Sequence, residues 1–577
     1  MKLIKDPQAA LVRALTHPQA VWFLLGLAFI IISAGLGLRD PWPADEPRFA
    51  LVAKHMVETG QWLFPVRGYE LYADKPPLFM WALALCYALT GSIRWAFLLP
   101  SLLASLLTIG LIVDLTRRLW NQATAIVAGL MLLCLLQFTL QARTAQIDAL
   151  LCAWVTLSLY GFWRHCVLGP AWRWYAIGGF AAGLGVITKG VGIIAYLFFI
   201  PYLIARLTRC QPLFPASTRT AHQLTQHTDT TRKRLEWRWS LAPLLTLLAI
   251  ALWLIPMYAY VEHHATPELL AYRDNILFRQ TAERYLRAWH HHQPFWYFVL
   301  AVIPWAWFPV SLILPWMLAF ISSKIKTRDA RYLLASITVL MIILFFSLSP
   351  GKREVYILPT APWVAMLAAA FLMERTLPPI VHMLSLGLLA IISLVALYAM
   401  AVPDQLLEMA KTQISVVSLW ELRFMAFLIS ISAAALIFFP KKISPWYRLP
   451  PLLALFWLSL GWLAYPALNT VRSSAAMMQK VANIVGDHEV AILQWREQYL
   501  LFAPDSLRLK YFAYQTPFES DIMQGKAWLS DPAIERKLTR YLLIPEAVLP
   551  HCQTSAEHPP IALGIYHRRP WWLVSQC

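Results

Sequence analysis

Six short stretches of this 577-residue chain set ionisable side chains at the edges of apolar runs. Each holds a residue type suited to acid–base or phosphate chemistry. The first is Asp45-Glu46-Pro47-Arg48-Phe49. A carboxylate there can take a proton from an acceptor hydroxyl or hold an acceptor amine; on local sequence alone Asp45 equally suits the cap of a helix over 49–57, with Glu46 complementing its dipole. Next, Tyr72, Asp74 and Lys75 precede Pro76-Pro77. A lysine at a membrane surface can neutralise a phosphate leaving group, with the prolines fixing the chain that presents it, although a snorkelling interfacial lysine has the same context.

Asp148 follows Arg143 and Gln146 at the start of an apolar run, and Lys189 sits between two such runs in Thr188-Lys189-Gly190. Ionisable residues at these boundaries suit a functional site, while an Arg143/Asp148 tie and a Lys189 anchor are the structural alternatives. Arg273, Arg279, Arg284 and Arg287 are spaced along one segment; guanidinium groups fit bidentate phosphate recognition, and a solvated helix face would look the same. The His290 to His292 run that follows is a poor metal site, because adjacent histidines do not share a helix face. Last, Ser349-Pro350-Gly351-Lys352-Arg353-Glu354, followed by Tyr356 and Pro359, is a tight charged turn whose Lys352 and Arg353 could meet the same anion as Lys75.

These stretches need a scaffold, and composition says which kind. Hydrophobic residues make up 59% of the chain and charged ones 14%, with a mean hydropathy of +0.54, too little polar surface to coat a soluble globule of this size. Apolar runs of about 18 residues recur along most of the chain, which reads as a polytopic α-helical membrane protein. Spans are expected at 20–38, 95–113, 122–140, 147–163, 174–188, 191–206, 240–261, 295–320, 331–348, 355–373, 380–402, 422–439 and 449–466, about thirteen crossings. The segment 78–89 is too short to cross and suits a helix lying on the membrane. The run 21–38, behind Lys2, Lys5 and Arg13, is long for a signal peptide and lacks a small-x-small cleavage site, so it reads as a retained span.

With 78–89 on the surface, the basic N-terminus, Arg117 and Arg118, Arg164 and Arg173, the loop 206–238, Lys324 to Arg331, Arg375, and Lys441, Lys442 and Arg448 share one side, expected to be cytoplasmic. All six chemical stretches then fall on the other side, in loops 39–94 and 262–294 and in the turns at 143–148, 189 and 349–354. The net charge of +18 lies largely in short loops, and no basic stripe interleaves with aromatics in a polar domain; membrane lipids rather than nucleic acid are the expected partners.

The membrane module is expected over 1–468, and 469–577 reads as a small outward-facing mixed α/β domain, with strands at 489–494, 541–544 and 561–567 and helices at 474–485 and 532–540. Cys552 and Cys577 lie there and would pair in an oxidising compartment. Cys86, Cys134, Cys152 and Cys166 read as buried hydrophobes. No CxxC pair or zinc spacing occurs. Nor is there a Gly-rich phosphate loop for a nucleotide-sugar.

In this order and on one face, Asp45 to Phe49, Tyr72 to Pro76, the Arg143 to Asp148 turn, Thr188-Lys189-Gly190, and Gly351 to Pro359 resemble the bacterial GT-C-fold transferases that use lipid-linked sugars. Those enzymes are related to the aminoarabinose lipid A transferases and, more distantly, to protein O-mannosyltransferases. The resemblance spans roughly 20–375. It implies inverting transfer of a sugar, 4-amino-4-deoxy-L-arabinose among the candidates, from undecaprenyl phosphate to lipid A or another envelope glycolipid at the periplasmic face of the inner membrane. No cofactor is required, and dependence on a divalent metal is absent or weak. By resemblance Asp45 is the catalytic or acceptor-orienting acid, and Lys75 with an arginine such as Arg284 clamps the donor phosphate. Glu46 and Asp148 are further candidate acids, Arg48, Arg279, Lys352 and Arg353 further phosphate-binding cations, and Tyr72, Asp74, Lys189 and Tyr356 substrate-binding groups. Asp74 stands where a glutamate is common in the aminoarabinose transferases and Phe49 replaces a tyrosine, so sugar and acceptor stay open. Transfer to protein hydroxyls is the second expectation. A lipid or solute transporter is the third; charges at span ends and the lack of a half-to-half repeat count against it.

Overall fold

The computed structural model describes residues 15–210, 237–283, 291–402, 416–438, 444–531, 539–552, 557–566 and 569–577. Seven helices among them are long and apolar enough to cross a membrane: Ile93–Leu119, Trp237–His264, Ala330–Leu348, Glu354–Glu374, Pro379–Ala401, Leu419–Ile437 and Pro445–Asn469. Two further expected spans are broken. Gln122–Cys134 meets Leu136–Ala142 at 73°, and Phe298–Ala306 meets Val310–Lys326 at 114°; counting each pair as one span gives nine. At the first break Leu135 is extended, with φ −62° and ψ 118°. At the second, Pro309 removes a backbone donor and ends the helical ladder.

The other expected spans are shorter or more polar than the apolar runs suggested. The stretch 20–38 forms only Ala20–Ser33, and 191–206 becomes a 3-10 turn running into Phe199–Leu207. Ile147–Cys166 and Trp172–Lys189 have 20 and 18 residues but carry Asp148, Arg164, Arg173 and Lys189 near their ends. Glu354–Glu374 runs through the middle of the bundle, 94% of its apolar window buried, whereas Leu419–Ile437 is 6% buried and turns its Trp420, Phe424 and Ile431 outward, as a lipid-facing helix does.

Close packing sets the helix bearing Lys189. A Cβ on Gly179 would stand 2.3 Å from the Ala242 carbonyl oxygen, and one on Gly183 2.4 Å from that of Thr246. Two glycines four residues apart let this helix lie directly on Leu241–His264; the helix end at Lys189 is thereby fixed. Its last turn closes on Gly190, at φ 83°.

The first long loop is a folded layer. Pro47 sits in the first turn of helix Glu46–Thr59, which stops at Gly60 in the left-handed region. Phe49, Val52, Ala53 and Met56 on its inner face pack against Phe79, Met80, Leu83 and Ala84 of helix Leu78–Thr90. That second helix has 13 residues, about 20 Å at 1.5 Å each, too short to span. Between them runs a small hairpin, β1 (Val66–Arg67) and β2 (Glu70–Leu71).

At the C-terminal end β3 (Glu489–Ile492), β4 (Arg508–Tyr511), β5 (Arg540–Pro545), β6 (Ile561–Tyr566) and β7 (Arg569–Val574) form one sheet in the order β4-β3-β5-β7-β6. The first three strands are parallel, and β5–β7 and β7–β6 are antiparallel. Two strands were not expected. β4 is a short, half-exposed edge strand with two basic residues, and β7 opens on Arg-Pro; neither carries the apolar alternation that marks a strand. Most of the expected helix 532–540 lies outside the described residues, and its last residue, Arg540, begins β5. Cys552 and Cys577 form a disulfide.

Candidate active site

Asp45, Arg48, Phe49, Tyr72, Asp74, Lys75, Gln146, Ile147, Asp148, Lys189, Arg353 and Tyr356 line one cavity of about 110 Å³. Five of the six chemical stretches reach it; none of the described residues of the arginine-bearing 273–292 segment does. Four cations (Arg48, Lys75, Lys189, Arg353) face three carboxylates (Asp45, Asp74, Asp148), a balance of one positive charge. The wall thus favours an anion while keeping carboxylates available for proton chemistry.

Asp45 immediately precedes helix Glu46–Thr59, and its side chain makes no capping bond. Its carboxylate instead faces Arg48 at 3.4 Å, Arg353 at 3.5 Å and the Gln146 amide at 3.4 Å. These contacts are long, so the oxygens are oriented but not saturated. Burial pulls the Arg353 guanidinium down, but Asp45 and Asp148 outweigh it and hold the group above its ordinary range. Arg48 is raised likewise: burial opposes charge, and the Glu497 and Asp45 carboxylates prevail. Burial and the neighbouring Asp74 carboxylate hold the Tyr72 hydroxyl above its usual range, so Tyr72 works as a neutral hydrogen-bonding group.

Asp148 pairs with Lys189, whose ammonium also lies over the Tyr356 ring at 4.6 Å from its centroid. The expected tie from Asp148 to Arg143 does not form. Arg143 turns the other way, donating to the Ile31 and Ala34 carbonyls and lying against Trp457 and Tyr465. Lys75 donates to the Asp74 carbonyl at 2.8 Å.

Three residues expected at the site are placed elsewhere. Glu46 is held by Arg39 in a bidentate pair of 2.6 and 2.7 Å, and also accepts from the backbone N–H groups of Trp42 at 2.8 Å and Ala145 at 3.0 Å. Both partners are buried; every lone pair of that carboxylate with a neighbour in reach serves the fold, and Glu46 joins the 39–46 loop to the 143–145 turn. Lys352 is buried and donates to the carbonyls of Ser349 at 2.6 Å and Gln293 at 2.9 Å. With the bridge between His292 and Gly351, it fastens the 349–354 turn to the end of the 262–294 loop and leaves Arg353 to face the cavity. Burial lowers its ammonium below the ordinary lysine range. Arg279 lies in the wide helical turn Asn275–Glu283 and is not among the lining residues. Arg284 falls outside the described residues, as do Arg287 and His290. No group of three or more His, Cys, Asp or Glu side chains gathers as a metal site among the described residues.

Two contributions had no local signal. Glu497, from the C-terminal sheet domain, binds Arg48 at 2.7 Å and approaches Arg67 at 3.8 Å. Asn469 accepts from the Asp40 backbone N–H at 3.0 Å and from the Trp42 indole at 2.9 Å. Both partners lie more than 400 residues away in the chain, and an isolated glutamate in a polar tail reads as surface.

Fold and site together describe a polytopic helical membrane protein with a cationic, carboxylate-bearing cavity. Residues 74–214 match the family model described as dolichyl-phosphate-mannose-protein mannosyltransferase. Two curated relatives, undecaprenyl phosphate-alpha-4-amino-4-deoxy-L-arabinose arabinosyl transferases of Pseudomonas fluorescens and Aeromonas salmonicida, are 27% and 28% identical over 371 and 347 residues. These matches take in 62% and 58% of this chain and 60% and 56% of the relatives, so the chain aligns with less than two thirds of their length. The crystal structure of ArnT from Cupriavidus metallidurans bound to undecaprenyl phosphate superposes with a TM-score of 0.69 at 18% identity, covering 96% of this chain and 98% of that one. The chain has that fold, and the resemblance first read from the five motifs holds in sequence and in architecture.

Proposed function

We propose that the protein transfers a sugar from undecaprenyl phosphate to lipid A or another envelope glycolipid, with 4-amino-4-deoxy-L-arabinose the leading candidate for the sugar. The observation that carries this reading is the convergence of Asp45, Lys75, Asp148, Lys189 and Arg353 on one cavity, in a chain that shares its fold with a protein crystallised with undecaprenyl phosphate. In this reading the acceptor oxygen attacks the anomeric carbon while the bond from that carbon to the phosphate oxygen breaks. Asp45 takes the acceptor proton, and the departing phosphate is neutralised by Arg48, Lys75 and Arg353. The carrier is already anchored in lipid, so the protein has only to supply cations at the interface and exclude water. Asp148 and Lys189 hold each other and set Tyr356 on the cavity wall. No step is routed through a cofactor or a metal.

The site is assigned to the periplasmic side of the bacterial inner membrane, with the C-terminal domain on the same side. The distribution of basic loops supports that orientation, and so does the Cys552–Cys577 disulfide, which suits an oxidising compartment. Mass spectrometry of lipid A and other envelope glycans from cells with and without the protein tests the proposal: a sugar missing from a glycolipid only in the deletion strain is expected, and identical profiles would sink it. The mannosyltransferase model over 74–214 favours a second reading, transfer to protein hydroxyls. Membranes supplied with labelled polyprenyl-phosphate sugar would then place the label in protein instead of lipid.

A further inference from the structure

The segment 494–497 leaves the carboxyl end of β3 and delivers Glu497 to Arg48 on the cavity wall. Its first residue, Gln494, has φ 51°, a left-handed conformation that L side chains disfavour. Asp521 holds it there: one carboxylate oxygen accepts both the Gln494 backbone N–H at 2.7 Å and its side-chain amide at 2.9 Å. Asp521 is 3% exposed, in the first turn of helix Phe518–Ser530, and burial raises its carboxyl above the usual range. A carboxylate in so small a polar recess could serve a ligand or the chain itself. The recess beside Gln494, Arg496, Gln515 and Thr516 has about 20 Å³ of room, enough for one water and far too little for a sugar ring. The chain is therefore what it serves. Trp495 fixes the next step, its indole donating to the Phe512 carbonyl at 2.8 Å, and its ring lies so close to Gly68 that a Cβ there would come within 3.2 Å.

We propose that Asp521 is a positioning residue for the cavity: by holding Gln494 in the left-handed conformation it aims Glu497 at Arg48 and so fixes where that cation stands. The inference rests on the donor-phosphate role proposed for Arg48. Purified full-length protein in lipid nanodiscs tests it in two ways. In kinetics with undecaprenyl-phosphate sugar, Asp521→Ala should raise the donor KM about tenfold, equivalent to about 1.4 kcal/mol, with kcat per folded enzyme little changed. Adding Gln494→Gly, which makes the left-handed backbone intrinsically accessible, should recover most of that loss. A merely structural role would reduce the active fraction at constant KM, and that result, or a double variant no better than Asp521→Ala alone, overturns the proposal. Hydrogen exchange provides a readout independent of turnover. Asp521→Ala should speed exchange over 494–501 and also over 46–50, where Arg48 sits, and the Gln494→Gly addition should slow the second segment again. Unchanged exchange over 46–50 overturns the proposal even if the protein transfers no sugar, whereas absence of turnover in the wild type with the expected exchange pattern counts against the function and leaves the positioning standing.

Discussion

Asp45 is surrounded by donors at 3.4 to 3.5 Å, close enough to orient its carboxylate and too far to occupy it. Asp45→Asn keeps the shape and removes the base, so transfer should fall by about 100-fold or more; Lys75→Ala removes a cation from the departing phosphate and should cost a similar factor. Both variants should remain in the membrane at wild-type levels, and normal glycolipid modification in both would refute the assigned site. Glu46 stands one residue away and belongs to a different class. Glu46→Gln leaves the buried Arg39 charge without its counterion, which costs about 3–5 kcal/mol, so its effect should appear as a lowered thermal midpoint in detergent. A Glu46→Gln protein of normal thermal stability that had lost only turnover would place that carboxylate in the chemistry after all.

Helix packing decides whether these residues meet. Lys189 ends a helix that lies flush on Leu241–His264, with Gly179 and Gly183 allowing carbonyl oxygens within 2.3 and 2.4 Å of where a Cβ would stand, while its other side packs on the helix bearing Asp148. Gly183→Val should push the helices apart, lower the thermal midpoint and weaken activity together, and the loss should not be rescued by higher donor concentration. Retained stability with full activity would show that this contact is not needed to set the Asp148–Lys189 pair. The two-helix layer formed by Glu46–Thr59 and Leu78–Thr90 works at the same scale: packing of their apolar faces brings Arg48 on the first helix and Lys75, just ahead of the second, to one cavity.

At the scale of the molecule, the cavity is closed from two directions, by the membrane bundle and by the C-terminal sheet domain through Glu497 on Arg48. Cysteines placed singly at Lys54 and Glu70 in a background lacking the native thiols should react with a membrane-impermeant maleimide added to intact spheroplasts, and one placed at Arg328 should react only after lysis. The opposite pattern would put the cavity in the cytosol and end the proposed chemistry, which needs the carrier's sugar and the acceptor on the outer leaflet. Truncation before residue 475 should leave an inserted bundle that binds the lipid carrier more weakly, because Arg48 loses its anchor; unaltered carrier binding would show that the domain plays no part in the site.

The sequence by itself determined the membrane class, the short helix at 78–90 and most of the cavity lining, since apolar runs, charges at their ends and Pro- or Gly-marked turns are all local properties of the chain. Nine of the residues singled out from those turns line the cavity: Asp45, Arg48, Tyr72, Asp74, Lys75, Asp148, Lys189, Arg353 and Tyr356. What only the tertiary structure decided is which member of each charged cluster faces the cavity. Glu46 and Lys352 have the same local credentials as Asp45 and Arg353, but they are spent on Arg39 and on backbone carbonyls. Glu497 reaches Arg48 at the site, and Asn469 the loop ahead of Asp45, from the far end of the chain. A buried charge must find its counterpart wherever the fold brings one, and partners separated by hundreds of residues leave no trace in the local pattern.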